Sequence, residues 1–140
     1  MHRLISQWAS PRYFYLQTGR LIPWLGALAA LLIAAGLVGG LWLAPPDYQQ
    51  GDAYRIIFVH VPSAWMSLFV YVVMATAAAI GLVWRIKVAE VVAAASAPLG
   101  AAFTFLALAT GSLWGKPMWG TYWVWDARLT SELILLFLYL

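Results

Sequence analysis

Three apolar runs constrain this chain more than any other feature: Leu21 to Ala44, Val61 to Trp84 and Val91 to Trp114 contain no Asp, Glu, Lys or Arg. Each is about 24 residues long, and roughly 20 apolar residues carry an α-helix across a bilayer. A helix satisfies its own backbone hydrogen bonds in lipid, so these runs predict membrane helices. A shorter run, Leu129 to Leu140, starts a fourth; its twelve or so residues reach about 18 Å into about 30 Å of hydrocarbon. The expected fold is an all-α, polytopic membrane helical bundle with three full transmembrane helices and the start of a fourth. The expectation at residue 140 is a truncated chain or a natural fragment.

Composition agrees. The chain is 64% hydrophobic and 9% charged, where a soluble domain carries about 25% charged residues. Residues 1–140 are therefore read as one membrane domain, with lipid as an obligatory partner. There is no cysteine, which excludes a disulfide framework, thiolate metal ligation and a Cys-attached cofactor. A net charge of +3 is too small and too localised to point to nucleic acid. No linker, internal repeat or low-complexity tail divides the chain.

Basic residues give an expected orientation. The arm 1–20 carries Arg3, Arg12 and Arg20, and the short loop after the second run carries Arg85 and Lys87. Both should be cytoplasmic. The loop from Pro45 to His60 sets only Arg55 against Asp47 and Asp52 and should lie outside, on the same side as residues 114–128. The first run is too long for a cleavable signal core and follows a long arm, so it is read as an uncleaved signal-anchor. Gly36-x-x-x-Gly40 and Ser96-x-x-x-Gly100 suit close helix packing, and Pro98 predicts a kink in the third helix.

Chemistry has to come from the outer side, where three features meet. His60 stands just before Pro62, a natural first-turn residue for the second span. A histidine there can present a ring nitrogen as a metal or haem-iron ligand, or simply bond a backbone carbonyl. The only other histidine, His2, is in the arm. Four of the nine tryptophans, Trp114, Trp119, Trp123 and Trp125, lie with Tyr122 just before Asp126. Gly115, Pro117 and Gly120 should interrupt a long helix there, leaving a flat aromatic surface. It serves equally as a belt at the membrane interface or as a platform for a large planar ligand. Arg55, Lys116 and Arg128 form a cationic rim able to pair with carboxylates. Asp126 is read either as a local partner of Arg128 or as a ligand contact. Glu132, early in the fourth span, is a costly intramembrane carboxylate that also suits a helix amino terminus. No nucleophile with a base, acid–base pair, phosphate loop or complete metal shell is present, so an enzyme is not expected. The residues lead to a haem or quinone site, with a non-haem scaffold anchored by its tryptophans as the rival.

The stretch Trp119-Gly-Thr-Tyr-Trp-Val-Trp-Asp-Ala-Arg-Leu-Thr-Ser-Glu-Leu133 resembles the tryptophan-rich signature of the haem-handling proteins of cytochrome c maturation. Trp125-Asp-Ala-Arg-Leu-Thr130 is similar to the haem exporter protein C family, also called cytochrome c maturation protein C; the larger haem-lyase relatives continue Trp-Asp-Pro. Val59-His-Val-Pro-Ser-Ala-Trp65 and the arginine-rich start resemble the same family, so the likeness covers essentially the whole chain. It implies a six-helix bacterial inner-membrane protein with a cytoplasmic amino terminus. It further implies haem, as haem b transiently bound, at the periplasmic face between the tryptophan segment and two external histidines. Passage to a periplasmic haem chaperone, protein E, is implied too, in association with the ABC transporter proteins A and B and the small membrane protein D. His60 matches the first of those histidines, an axial iron ligand. Trp119, Trp123, Trp125 and Asp126 match the signature, with Trp114, Tyr122, Arg55 and Arg128 read as its surroundings. The second histidine and the last two helices of that pattern are missing from these residues, so the 140-residue chain is expected to bind haem weakly or not at all.

Overall fold

The computed structural model describes residues 10–140; His2 and Arg3 of the basic arm lie outside the described residues. Helix α1 covers Pro11–Thr18 and α2 covers Ile22–Val38, prolonged by one π turn over Gly39–Leu43. A 3-10 turn, Asp52–Ile56, runs directly into α3, Ile57–Trp84. Helix α4 spans Lys87–Trp119 and α5 spans Ala127–Tyr139. Among the described residues there is no strand, only an isolated bridge between Asp47 and Gly51. Three helical stretches, Ile22–Leu43, Asp52–Trp84 and Lys87–Trp119, are long and apolar enough to cross a membrane.

Two helix ends differ from expectation. Helix α3 starts at Ile57, so Pro62 sits in its second turn. The cost is small there, because the missing N–H removes only the bond to the Phe58 carbonyl. Helix α4 continues through Gly115 and Pro117 to Trp119, and only Gly120 ends it. That glycine adopts φ 77 and returns its N–H to the Lys116 carbonyl at 3.0 Å, a left-handed cap that glycine takes without steric cost.

The core lies between α3 and α4 and is built from small side chains. Ser63, Ser67, Val70, Ala77 and Gly81 form one buried stripe of α3, facing Ser96, Gly100, Thr104 and Ala107 of α4. The buried hydroxyls bond carbonyls of their own helix: Ser63 to Val59 at 2.7 Å, Ser96 to Val92 at 2.8 Å and Thr104 to Gly100 at 2.8 Å. Their polarity is thereby satisfied, and the two backbones can approach closely. Tyr139 pins α5 to this pair. Its ring covers Gly100, where any Cβ would collide with it, and its hydroxyl donates to the Ser67 carbonyl at 2.6 Å.

Helix α2 stands apart from that core. None of its residues from Ile22 to Val38 is buried, and a helix apolar all round suits lipid. It meets the bundle at Gly40, where a Cβ would strike Phe58, while nothing lies within 4 Å of a Cβ at Gly36. Of the glycine pair expected to pack, one does.

Candidate functional site

A cavity of about 630 Å³ opens at the end of the bundle where α4 stops and α5 begins. Helix α3 contributes His60, Ala64 and Leu68, and α4 contributes Ala107, Leu108, Gly111, Trp114 and Trp119. The remaining wall is Val124, Asp126 and the first turns of α5, with Arg128, Leu129, Ser131 and Glu132. The continuation of α4 past Gly115 brings Trp119 into this wall. Ala107, Gly111 and Trp114 recur at helical spacing, so they face the same way, toward α3.

His60 is held on one side only. Its Nδ1 lies 3.1 Å from the Ala107 carbonyl and 3.1 Å from the Thr110 hydroxyl oxygen. That hydroxyl donates to the Leu106 carbonyl at 2.6 Å, leaving its oxygen to accept. Both neighbours are therefore acceptors, which places the proton on Nδ1 and the free lone pair on Nε2. No protein partner engages Nε2 among the described residues. Gly111 makes room for the ring, since a Cβ there would sit 3.0 Å from His60 Cε1. Trp114 meets the imidazole edge to face, with centroids 5.7 Å apart and planes at 64°. Its indole N–H donates to Gln50 Oε1 at 3.0 Å.

The tryptophan segment divides in two. Trp114 and Trp119 line the cavity, whereas Tyr122, Trp123 and Trp125 do not. Trp123 and Trp125 contact each other edge on, at 5.3 Å and 77°, so the expected flat surface is absent from this pair. Trp125 is 75% exposed, while the Nε1 of Trp123 is buried without a partner.

The charged rim is mostly occupied with local work. Arg55 pairs with Asp52 at 3.2 Å and donates Nε to the Ala44 carbonyl at 3.2 Å, away from the cavity. Lys116 caps α4 through the Gly120 carbonyl and lies over the Tyr122 ring. Asp126 caps α5 by accepting from the Leu129 N–H at 2.9 Å, and its other oxygen takes Nε and Nη2 of Arg128 at 3.0 and 2.7 Å. The Leu129 N–H and the Arg128 guanidinium both favour the ionised form and hold the Asp126 carboxyl below its usual range. Arg128 also lies over the Trp119 ring, 5.5 Å from its centroid. It therefore presents a fixed cation at the cavity mouth.

Sequence alone does not single out two contributors to this site. Gly111 and Gln50 carry no signal beyond helical spacing in the first case and loop polarity in the second. Glu132 is visible as an intramembrane carboxylate; it lines the cavity and buries Oε1 without a hydrogen-bond partner.

Residues 4–140 match the family model described as Heme exporter protein C. Heme exporter protein C of Escherichia coli strain K12 is 56% identical over 139 residues, which is 99% of this chain and 57% of that protein. The protein of the same name from Bradyrhizobium diazoefficiens is 59% identical over 132 residues, 94% of this chain and 50% of that one. That of Haemophilus influenzae is 54% identical over 140 residues, 100% of this chain and 57% of that one. The chain spans about half the length of the curated relatives it matches. With the family model matched almost end to end, the chain belongs to the haem exporter protein C family.

Proposed function

We propose that this chain is the part of a cytochrome c maturation protein that takes haem as cargo, with His60 as one axial ligand. The observation that carries the reading is the state of His60. Its Nδ1–H is spent on the Ala107 carbonyl, so Nε2 keeps a lone pair at the wall of a cavity whose other side is indole. A metal-bound histidine commonly has its second nitrogen anchored in this way. About 630 Å³ falls within the roughly 300–1,000 Å³ of organic-ligand sites. Trp114 and Trp119 offer rigid apolar faces to a porphyrin, and Arg128 offers a cation to a peripheral carboxylate. The protein's part is to bind and orient; no residue here is placed to make or break a covalent bond.

In the whole protein this site would lie on the periplasmic side, with the arm 1–20 and the Arg85–Lys87 loop cytoplasmic, as the basic residues favour. Haem b would rest there transiently before passing to the periplasmic chaperone, protein E, with the ABC transporter proteins A and B and the small membrane protein D as associates. Tyr122 and Trp125 suit the rival role better. Neither lines the cavity, and we assign them to the interfacial belt. Titrating the whole membrane-inserted protein with haem while following the Soret band tests the proposal. His60→Ala should abolish the ligand-shifted band; a six-coordinate spectrum that survives this substitution would refute the assignment.

A further inference from the structure

We infer that the loop between α2 and α3 belongs to the haem site through Gln50, a positioning residue that sets the indole of Trp114 against His60. This rests on the haem reading above. The contact joins residues far apart in the chain: the Trp114 indole N–H donates to Gln50 Oε1 at 3.0 Å. An indole nitrogen is a donor only, which fixes the Gln50 amide with its oxygen toward the ring. Trp114 in turn lies edge to face with the imidazole, at 5.7 Å and 64°. His60 is therefore gripped between the α4 backbone, through the Ala107 carbonyl, and an indole whose rotation Gln50 restrains.

Gln50 reaches that position on a closed turn. Asp47 Oδ1 accepts from the backbone N–H groups of Gln49 and Gln50, each at 2.9 Å. Asp47 and Gly51 exchange both backbone hydrogen bonds, at 3.2 and 2.9 Å. Gly51 has φ 57 and ψ −138, a conformation reserved for glycine. Arg55 Nε then ties the end of the loop back to the Ala44 carbonyl at 3.2 Å. The side chain of Gln50 is thus delivered by a pinned backbone, as a positioning role requires.

The test uses the whole membrane-embedded protein with Gln50→Leu, which removes the acceptor; Gln50→Glu, which keeps one; and Trp114→Phe, which removes the donor. Without haem, indole N–H exchange is read by nitrogen-15 NMR of labelled tryptophan, the Trp114 signal being identified by its loss in Trp114→Phe. With haem, the Soret position and dissociation constant are read. Gln50→Leu should erase the slow exchange of the Trp114 N–H, shift the Soret band and weaken haem binding roughly fivefold, the weight of one ordinary hydrogen bond. Gln50→Glu should retain the protection, and Gln50→Leu should add nothing in the Trp114→Phe background. The inference is overturned if Gln50→Leu lowers thermal stability yet leaves exchange, Soret position and affinity unchanged, as a purely structural loop would. It is equally overturned if the affinity loss persists in the Trp114→Phe background. A whole wild-type protein, second external histidine included, that takes up no haem would overturn the haem reading itself, whereas an unprotected Trp114 N–H in the wild type overturns the positioning role alone.

Discussion

Adding a single methyl group at Gly111 should unseat His60 without unfolding the bundle. An ideal Cβ there lies 3.0 Å from His60 Cε1 and 3.5 Å from Nδ1, where ordinary contact begins at 3.4 Å. The ring has to retreat by about 0.4 Å, which lengthens the 3.1 Å bond to the Ala107 carbonyl to roughly 3.5 Å, the edge of a useful hydrogen bond. Losing that bond is worth about 1 kcal/mol, or roughly fivefold in haem affinity. Stability moves by a comparable amount. Alanine gains about 1 kcal/mol over glycine in a helix, which offsets the lower end of the roughly 1–3 kcal/mol cost of overpacking. The net loss should therefore stay below about 2 kcal/mol. Gly36→Ala is the control, because nothing lies within 4 Å of a Cβ at that position; it should leave haem uptake unchanged and the fold no weaker. The assay is a haem titration in detergent or nanodiscs beside a thermal melt of the same samples. If Gly111→Ala retains wild-type affinity and Soret position, Gly111 is not what seats His60 on α4, and the argument for a tightly held imidazole fails.

Other perturbations address the frame around the site. The carboxyl of Asp126 is held below its ordinary range by the Leu129 N–H and by Arg128. A depressed folded value means that its stabilisation is complete above the usual carboxylate range and is lost only as pH falls through that lowered value. Acid titration monitored by fluorescence of Trp119 and Trp125 should show no opening of the α5 start until pH drops below the ordinary range; Asp126→Asn, which keeps the capping oxygen but loses the charge, should abolish the acid dependence. Arg85 caps α3 at φ 52, where a side chain costs about 1–2 kcal/mol, so Arg85→Gly should raise the midpoint of detergent unfolding and Arg85→Val should lower it. Tyr139→Phe removes the 2.6 Å bond to the Ser67 carbonyl and should cost about 1 kcal/mol, while Gly100→Leu should detach α5 from the bundle, read as protease sensitivity at residues 120–126.

The spans were legible because an uncharged run of that length has one stable form in lipid, and the signature from Trp119 to Leu133 was legible because its residues are unusual in kind and order. What spacing could not give was how far each helix runs. Gly115 and Pro117 read as breakers in water, yet in α4 Gly115 is buried. A Cβ there would lie 3.1 Å from the Thr121 carbonyl, so the residue is used for closeness rather than for a turn. That one difference carries Trp119 out of the expected loop and onto the helix that already holds Ala107, Gly111 and Trp114. It also explains why Gly111 and Gln50 escape notice: neither has a distinctive chemistry, and each acts through what it allows another side chain to do. Arg55 shows the converse. Its charge made it a candidate ligand contact, but a nearby acid and a free carbonyl claimed it first.

The same physics separates the two uses of tryptophan that the sequence left undivided. A platform needs rings held from several sides, because a ligand gains nothing from a surface it must first order. Trp114 satisfies this through Gln50 and His60; Trp119, 58% exposed with the Arg128 guanidinium over its face, meets it only in part. An anchor has the opposite requirement: one ring face free for the headgroup region, with few fixed neighbours. Trp125 meets it, being largely exposed and touched edge on by Trp123. The break between the roles falls at Gly120, where α4 ends. Residues before it inherit the rigidity of a helix packed through serine, threonine and glycine against α3, and those after it inherit the looser connection to α5. The end of one helix thus separates Trp114 and Trp119, which line the cavity, from Trp123 and Trp125, which do not.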